Sequence, residues 1–395
     1  MKTRNHLSNV GVIHHVDIIT DGLIDIPMLQ LLNADGSLCD GAAEPDIDKE
    51  TALRIFNAMQ FTRILDERMI AAQRQGRISF YLASTGEEAS VVASAGALHD
   101  ADMIMSQYRE QGALALRGYS IEQFMNQMFS NEKESNKGRQ MPIHYGSKEL
   151  NFMTISSPLG TQIPQASGYA YGQKMAGEPA ITICYFGEGA ASEGDFHAGL
   201  NMAAVLHCPV IFFCRNNGYA ISTPAEEQFL GDGIASRGLG YGVKTIRVDG
   251  NDALAVYAAT SKARAIALEE NCPVLIEGMT YRLAAHSTSD DPAGYRSKDE
   301  EAQWQAKDPI ARMANWLESK GWLNKEANTK QLDSMRQEVL RELKRAEQVP
   351  VCKIDELVTD VYDQVPWHLQ EQLDELKAHL KKYPEHYPRT SGRID

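Results

Sequence analysis

Residues 181–199 read "ITICYFGEGAASEGDFHAG", and the fold follows from how this stretch is parsed. "ITICYF" is short, β-branched and aromatic, and carries no charge, which predicts a buried strand. It stops at Gly187-Glu188-Gly189, and small residues lead through the acidic "SEGD" into a helix expected over residues 195–206. Glycines permit close backbone approach to a ligand. A carboxylate held between them repels any anion unless a cation intervenes.

Working outward, the pattern repeats. "PVIFFC" (209–214) and "VKTIRVD" (243–249) read as strands. Asp252 N-caps the helix "DALAVYAATSKARAIALEEN", and "PVLIEGMTYR" follows as another strand. Continuous apolar strands alternating with helices predict an α/β fold with a parallel sheet covered on both faces. Ligands in such sheets sit at the carboxyl ends of the strands, and Glu188, residues 215–219 and His286 all follow strand ends.

The flanks are simpler. Residues 1–49 read as a loop-rich arm, with "LLNADGSL" as a short hairpin turning at Asp35-Gly36. A helix is expected over residues 50–75, C-capped by Gly76, and "TGEEASVVASAGAL" as a small-residue helix. The α/β domain is expected to span 50–325 and a helical extension 326–395. In the extension, Leu332, Met335, Val339, Leu343 and Ala346 form one apolar stripe. Leu369, Leu373, Leu376 and Leu380 form another, opened by Pro366, and core packing is the simpler reading of both over partner docking.

The 395 residues carry 39 Lys and Arg against 53 Asp and Glu, a net charge of −14. That balance argues against nucleic acid and anionic membranes as partners, though a local basic cluster can still grip phosphate. No apolar run reaches the ~18 residues of a membrane span. Cys39, Cys184, Cys208, Cys214, Cys272 and Cys352 show no paired spacing, and four lie in or beside apolar runs, so reduced, buried thiols are expected. "MKTRNHLSNVG" lacks a secretory apolar core, and the acidic residues after it are ones transit peptides avoid, so the expected location is the cytoplasm.

Two nucleotide readings fail. After Gly187 and Gly189 the third position of a dinucleotide fingerprint holds Ser192, and the next strand ends in "CRNNGYAIS" instead of an acidic residue. No Gly-x-x-x-x-Gly-Lys-Ser/Thr loop exists. A magnesium-diphosphate site fits better, because Mg²⁺ is often held by one or two carboxylates, with phosphate and water completing the shell. Glu188 offers a carboxylate, Asn217 an amide oxygen and Tyr219 a backbone carbonyl, with Arg215 beside them to neutralise phosphate.

The interval from "GEG" to "NN" is similar to the thiamine-diphosphate motif. With "GRISFYL", "SQYREQG", "MPIHYG", "ISSPLGTQIPQASG", "FFCRNNGYAIST", "RVDGND", "YRLAAHSTSDDPAGYRS" and "EHYP", the chain from about residue 40 resembles the alpha subunits of branched-chain 2-oxo acid dehydrogenases. The resemblance implies the thiamine-diphosphate-binding fold and oxidative decarboxylation of branched 2-oxo acids, with reductive acyl transfer to a lipoyl group. It implies Mg²⁺ on Glu188, Asn217 and Tyr219. Gln107, Tyr108, Arg109, Arg215 and a catalytic His286 would surround the diphosphate and the reacting end of the cofactor. Ser157, Leu159, Gly189 and Ala190 would lie against the rest of the cofactor, with Ser157 and Leu159 at the aminopyrimidine. Phe80, Gln107 and Tyr108 would line the substrate pocket, and Ser156, Pro158, Thr161 and Gln162 match a potassium site. Ser287 and Ser297 correspond to serines phosphorylated in the family's animal enzymes. The glutamate that faces the pyrimidine ring belongs, in this family, to a separate beta subunit. An alpha-two, beta-two heterotetramer serving a lipoyl-bearing acyltransferase is therefore implied. Two alternatives stay open: the alpha subunit of a pyruvate or acetoin dehydrogenase, and a non-enzymatic Mg²⁺-nucleotide-binding regulator. Taken singly, "SQYREQ" reads equally as a polar surface segment, His286 as a loop histidine and His144 as a loop cap.

Overall fold

The computed structural model describes residues 25–387. Residues 1–24 of the arm, including "MKTRNHLSNVG", and Pro388 of "EHYP" lie outside them. In chain order, β1 (Met28–Leu29), α1 (Lys49–Arg74), α2 (Glu88–Gly96) and β2 (Met103–Met105) come first, then α3 (Gln111–Leu116), α4 (Ile121–Met128) and α5 (Gln162–Ala176). The central run is β3 (Thr182–Gly187), α6 (Gly194–Leu206), β4 (Val210–Asn216), the hairpin β5 (Tyr219–Ala220) and β6 (Thr223–Pro224), α7 (Ala225–Gln228) and α8 (Ala235–Gly240). β7 (Lys244–Asp249), α9 (Ala253–Glu270), β8 (Val274–Met279), α10 (Lys298–Gln305), α11 (Pro309–Ser319), α12 (Lys325–Ala346) and α13 (Trp367–Lys382) complete the chain.

Six strands form one parallel sheet in the order β1-β7-β8-β4-β3-β2. Side chains of a strand alternate between faces, so a strand buried on both sides must be apolar throughout. Ile183 and Tyr185 of β3 and Ile211 and Phe213 of β4 enter one core with α1, α2 and α9. Cys184, Phe186, Phe212 and Cys214 enter the other, against Ile163, Ala166 and Ala170 of α5 and Phe196, Leu200 and Ala203 of α6. Parallel pairing then brings the carboxyl ends of β2, β3, β4 and β8 to one edge.

Helix ends follow local chemistry. Asp48 accepts the Thr51 N–H at 2.7 Å, and α1 ends before Gly76 (φ +71°). Asp252 caps α9 with one oxygen, taking the N–H groups of Leu254 and Ala255. Its other oxygen takes Leu31 and Leu32, which ties the N-terminal arm to the domain. The expected turn at Asp35-Gly36 closes between Leu32 and Leu38. In α12, Val339, Leu343 and Ala346 join the larger core. In α13, Leu373 and Leu380 instead make a small separate cluster with Ile354. All six cysteines are free, but only Cys184, Cys208 and Cys214 are buried. Among the described residues no helix is long and apolar enough to cross a membrane.

Candidate active site

A cavity of about 450 Å³ opens at the carboxyl ends of the strands. Its lining includes Phe80, Gln107, Tyr108, Arg109, Ser157, Leu159, Glu188, Gly189, Ala190, Arg215, Asn217, Tyr219 and His286. Residues drawn from several separated sequence motifs therefore meet in one place. Ser156, Pro158, Thr161 and Gln162 lie on the adjoining loop and first turn of α5, outside the lining. There Thr161 Oγ1 donates to the Pro158 carbonyl (3.2 Å) and Gln162 Nε2 to the Tyr185 carbonyl (3.1 Å).

Glu188 leaves β3 at only 1% exposure. One of its oxygens accepts the Asn217 N–H at 3.3 Å, while Oε1 is buried with no hydrogen-bond partner. Burial, with a smaller contribution from nearby Glu87, pushes its pKa up to about 7. A buried, unpaired carboxylate oxygen is costly, and a cation on that oxygen would relieve it. The flanking glycine has a task beyond its place in the lining: a Cβ on Gly189 would lie 2.7 Å from Ala220 Cβ. The close approach is therefore to β5, which seats the turn carrying Asn217 and Tyr219. Asn217 Oδ1 accepts the Tyr219 N–H (3.1 Å), and the Tyr219 hydroxyl donates to the Glu300 carboxylate (3.0 Å). Among the described residues no group of three His, Cys, Asp or Glu suits a metal. A site built from one carboxylate, one amide and one carbonyl has no such group.

Guanidinium groups from Arg109, Arg215 and Arg282 also line the cavity. Burial works against the Arg215 charge, but Glu110 and Glu87 outweigh it and raise its pKa. Glu110 Oε1 lies 2.7 Å from Arg215 Nε, and Glu87 Oε2 meets Nη1. The other oxygen of Glu110 accepts the N–H groups of Gln107, Tyr108 and Arg109 at 2.9–3.0 Å and the Ser106 hydroxyl. Gln107 Oε1 takes the Gly187 N–H at 2.6 Å, fastening this loop to β3. Arg109 donates to the His286 carbonyl (2.8 Å) and lies 3.2 Å from its Nδ1. Burial, then Arg109 and Arg282, lower the His286 pKa to about 4, so its ring is neutral at pH 7.

Sequence reading gave no role to Glu87 or Glu110, although both sit inside quoted motifs, nor to Arg282, Met141 and Ile221 of the lining. His144, read as a loop cap, joins the site: its Nδ1 faces the Pro142 carbonyl (3.1 Å) and its Nε2 faces Ser157 Oγ (2.8 Å). A carbonyl can only accept, so Nδ1 carries a proton, and Nε2 is left to pair with the Ser157 hydroxyl. Glu87 acts through Arg215 and Asn217, distant in sequence, while Glu110 ties its own loop to Arg215, and no local pattern marks either.

Comparison with known proteins agrees with this geometry. Residues 56–355 match the dehydrogenase E1 component family. The chain is 52% identical to the 2-oxoisovalerate dehydrogenase subunit alpha, mitochondrial, of Caenorhabditis elegans, over 92% of this chain and 84% of that one. It is 50% identical to the human protein of the same name (92% and 82% covered) and 48% identical to subunit alpha 1 of Arabidopsis thaliana (92% and 77%). These names overturn the expected cytoplasmic location: all three relatives are mitochondrial, which points to mitochondria instead. The stretch read for targeting lies outside the described residues. The match over most of the chain, on a parallel sheet whose strand ends gather the motif residues, establishes that this protein belongs to the dehydrogenase E1 component family.

Proposed function

We propose that the chain is the alpha subunit of a branched-chain 2-oxo acid dehydrogenase, oxidatively decarboxylating 3-methyl-2-oxobutanoate and its relatives and passing the acyl group to a lipoyl carrier. The observation that carries this reading is the pairing of an unpartnered buried carboxylate oxygen on Glu188 with three guanidinium groups in one cavity. Such a site suits a cation-bound diphosphate and repels a bare anion.

Glu188, the Asn217 amide oxygen and the Tyr219 carbonyl would hold Mg²⁺. Arg215 and Arg109 would balance the diphosphate, with Gln107, Tyr108 and His286 around it. Ser157, Leu159, Gly189 and Ala190 would seat the rest of the cofactor. Thiamine diphosphate, when bound, supplies the carbon nucleophile and electron sink that decarboxylation needs. The protein's part is orientation and charge. Burial of Arg215 and Glu188 keeps water from screening the diphosphate contacts. Neutral His286, held by Arg109, presents a ring able to accept or give a proton beside the reacting end. Phe80, Leu82 and Tyr108 offer an apolar wall for a branched side chain. A beta subunit completes the site in an alpha-two, beta-two assembly that serves the acyltransferase. Ser156, Pro158, Thr161 and Gln162 would take K⁺ and stiffen their loop. Residues 50–325 would form the diphosphate-binding unit, with the helices described between 326 and 387 as its extension.

The test is the ratio of catalytic efficiencies for 3-methyl-2-oxobutanoate and pyruvate in the enzyme reconstituted with its beta subunit. Added methyl groups in an apolar pocket contribute roughly 1–3 kcal/mol each, so a preference of tens- to hundreds-fold for the branched acid is expected. Preference for pyruvate would reassign the substrate within the same family. Phe80→Ala should erode the ratio while leaving cofactor affinity in place.

A further inference from the structure

We infer that Glu87 is a positioning residue: its carboxylate fixes which end of the Asn217 amide faces the metal position and, in the same stroke, aims Arg215. The inference rests on the proposed magnesium-diphosphate reading and assigns a role to a residue that neither the motifs nor the cavity lining singles out.

The backbone around Glu87 has almost no freedom. Gly86 sits at φ +101°, and a Cβ there would lie 2.2 Å from the Tyr281 carbonyl oxygen, so only glycine fits. The Glu87 N–H donates to the Ser84 carbonyl at 2.9 Å. The next residue, Glu88, takes the Gly86 N–H at 2.8 Å and the Arg63 guanidinium at 2.5 Å. Glu87 itself is fully buried, so water cannot substitute for its partners.

Those partners are two residues at the end of β4. Oε1 accepts from Asn217 Nδ2 at 2.8 Å, and Oε2 is ion-paired to Arg215 Nη1. A carboxylate paired to arginine has only acceptors to offer. The amide must therefore turn its nitrogen to Glu87, and its oxygen becomes the end available elsewhere. Oδ1 accepts one N–H, from Tyr219, and keeps a second lone pair. A metal ion takes an amide oxygen and never the NH₂. Flipping the amide would set its oxygen against the Glu87 carboxylate without water between them, and would turn an NH₂ toward the cation. Glu110 holds Arg215 from the Nε side, so Glu87 and Glu110 together fix the guanidinium plane.

The experiment uses the alpha–beta enzyme, titrating Mg²⁺ by calorimetry and Mn²⁺ by electron paramagnetic resonance in the presence of thiamine diphosphate. Glu87→Gln keeps the shape but can now donate as well as accept, leaving only the Tyr219 N–H to orient the amide, so metal affinity should fall by about tenfold or more. Combining Glu87→Gln with Asn217→Asp exchanges the amide and the carboxylate between the two positions. Aspartate offers oxygen at both ends and the introduced glutamine donates to it, so most of the lost affinity should return. A purely structural role for Glu87 predicts instead that Asn217→Asp changes metal affinity by the same factor with and without Glu87→Gln. Wild-type metal affinity in Glu87→Gln, or a double variant no better than the single one, would overturn the role of Glu87 while the cofactor reading stands. A wild-type enzyme with no metal-dependent thiamine diphosphate binding would overturn both.

Discussion

The loop after β2 and the loop after β8 meet across the cavity at the edge-to-face contact of Tyr108 and His286, with ring centroids 6.4 Å apart. They are ordered by different means. In residues 106–110 one buried carboxylate oxygen, on Glu110, gathers three backbone N–H groups and a hydroxyl. Residues 286–297 are mostly half-exposed. There Asp290 accepts the His286 N–H (2.7 Å) and the Tyr295 hydroxyl (2.6 Å), and Arg282 donates to Tyr295 (3.2 Å). Buried charge-assisted bonds have no competing water and break at high cost, whereas half-exposed ones exchange with solvent. The first side is thus a preset floor. The second is a more exposed cover, held by bonds nearer the solvent.

The contrast is most directly broken at Glu110. Glu110→Ala strands three N–H groups and removes one of the two carboxylates on buried Arg215, so a loss of about 3–5 kcal/mol is expected, with cofactor binding lost alongside it. Chemical denaturation of the alpha–beta assembly measures it, and an unchanged midpoint would mean that packing alone holds the floor. Glu188→Ala acts on the same floor without dismantling it. Mg²⁺-dependent thiamine diphosphate binding should disappear from calorimetry while the thermal midpoint of the apo protein holds or rises, since a buried unpaired oxygen has gone. Retained affinity would remove Glu188 from the site.

The cover should respond to surface charge instead. Ser287 Oγ, next to His286, pairs with Ser289 Oγ at 3.0 Å and accepts the Ser289 N–H at 3.4 Å. A phosphate there adds about −1.5 to −2 charges at the mouth of the site, and Ser287→Glu should lower activity by about tenfold while raising protease sensitivity in residues 286–297. Full activity with normal protection would separate loop order from catalysis. His286 gives a smaller effect. Its pKa is ordinarily 6.5 and falls to about 4 in the folded apo protein. The unfolded chain therefore binds the extra proton first, and stability present above pH 6.5 is lost as pH falls toward 4. His286→Gln should match wild type near pH 7.5 and gain on it at pH 5 in paired thermal melts. Parallel curves would show that the ring is solvated. The smallest effect is expected at Ser297, whose hydroxyl caps α10 by accepting the Glu300 N–H at 3.1 Å. Aspartate caps equally well and favours a helix N-terminus, so Ser297→Asp should stay within about 0.5 kcal/mol of wild type. The two serines of this loop thus have opposite expectations.

The sequence by itself determined the centre of the sheet, because strands buried on both faces must be apolar throughout, and "ITICYF" and "PVIFFC" are, whereas the short edge strands β1 and β2 carry too little pattern to be read. It determined the helix ends that depend on one local residue, Asp252 and Gly76, and it placed Glu188, Arg215, Asn217 and His286 at strand ends. Only the tertiary structure decided what those residues face. Glu87 reaches Asn217 across 130 positions, Arg109 reaches His286 across 177, and Gly189 packs against Ala220 as well as lining the cavity. Periodicity and capping act over a few residues, so they can be read along the chain. Pairing of buried charges is enforced by the cost of leaving any one of them alone in a low dielectric, and that cost exists only once the sheet has brought distant loops together.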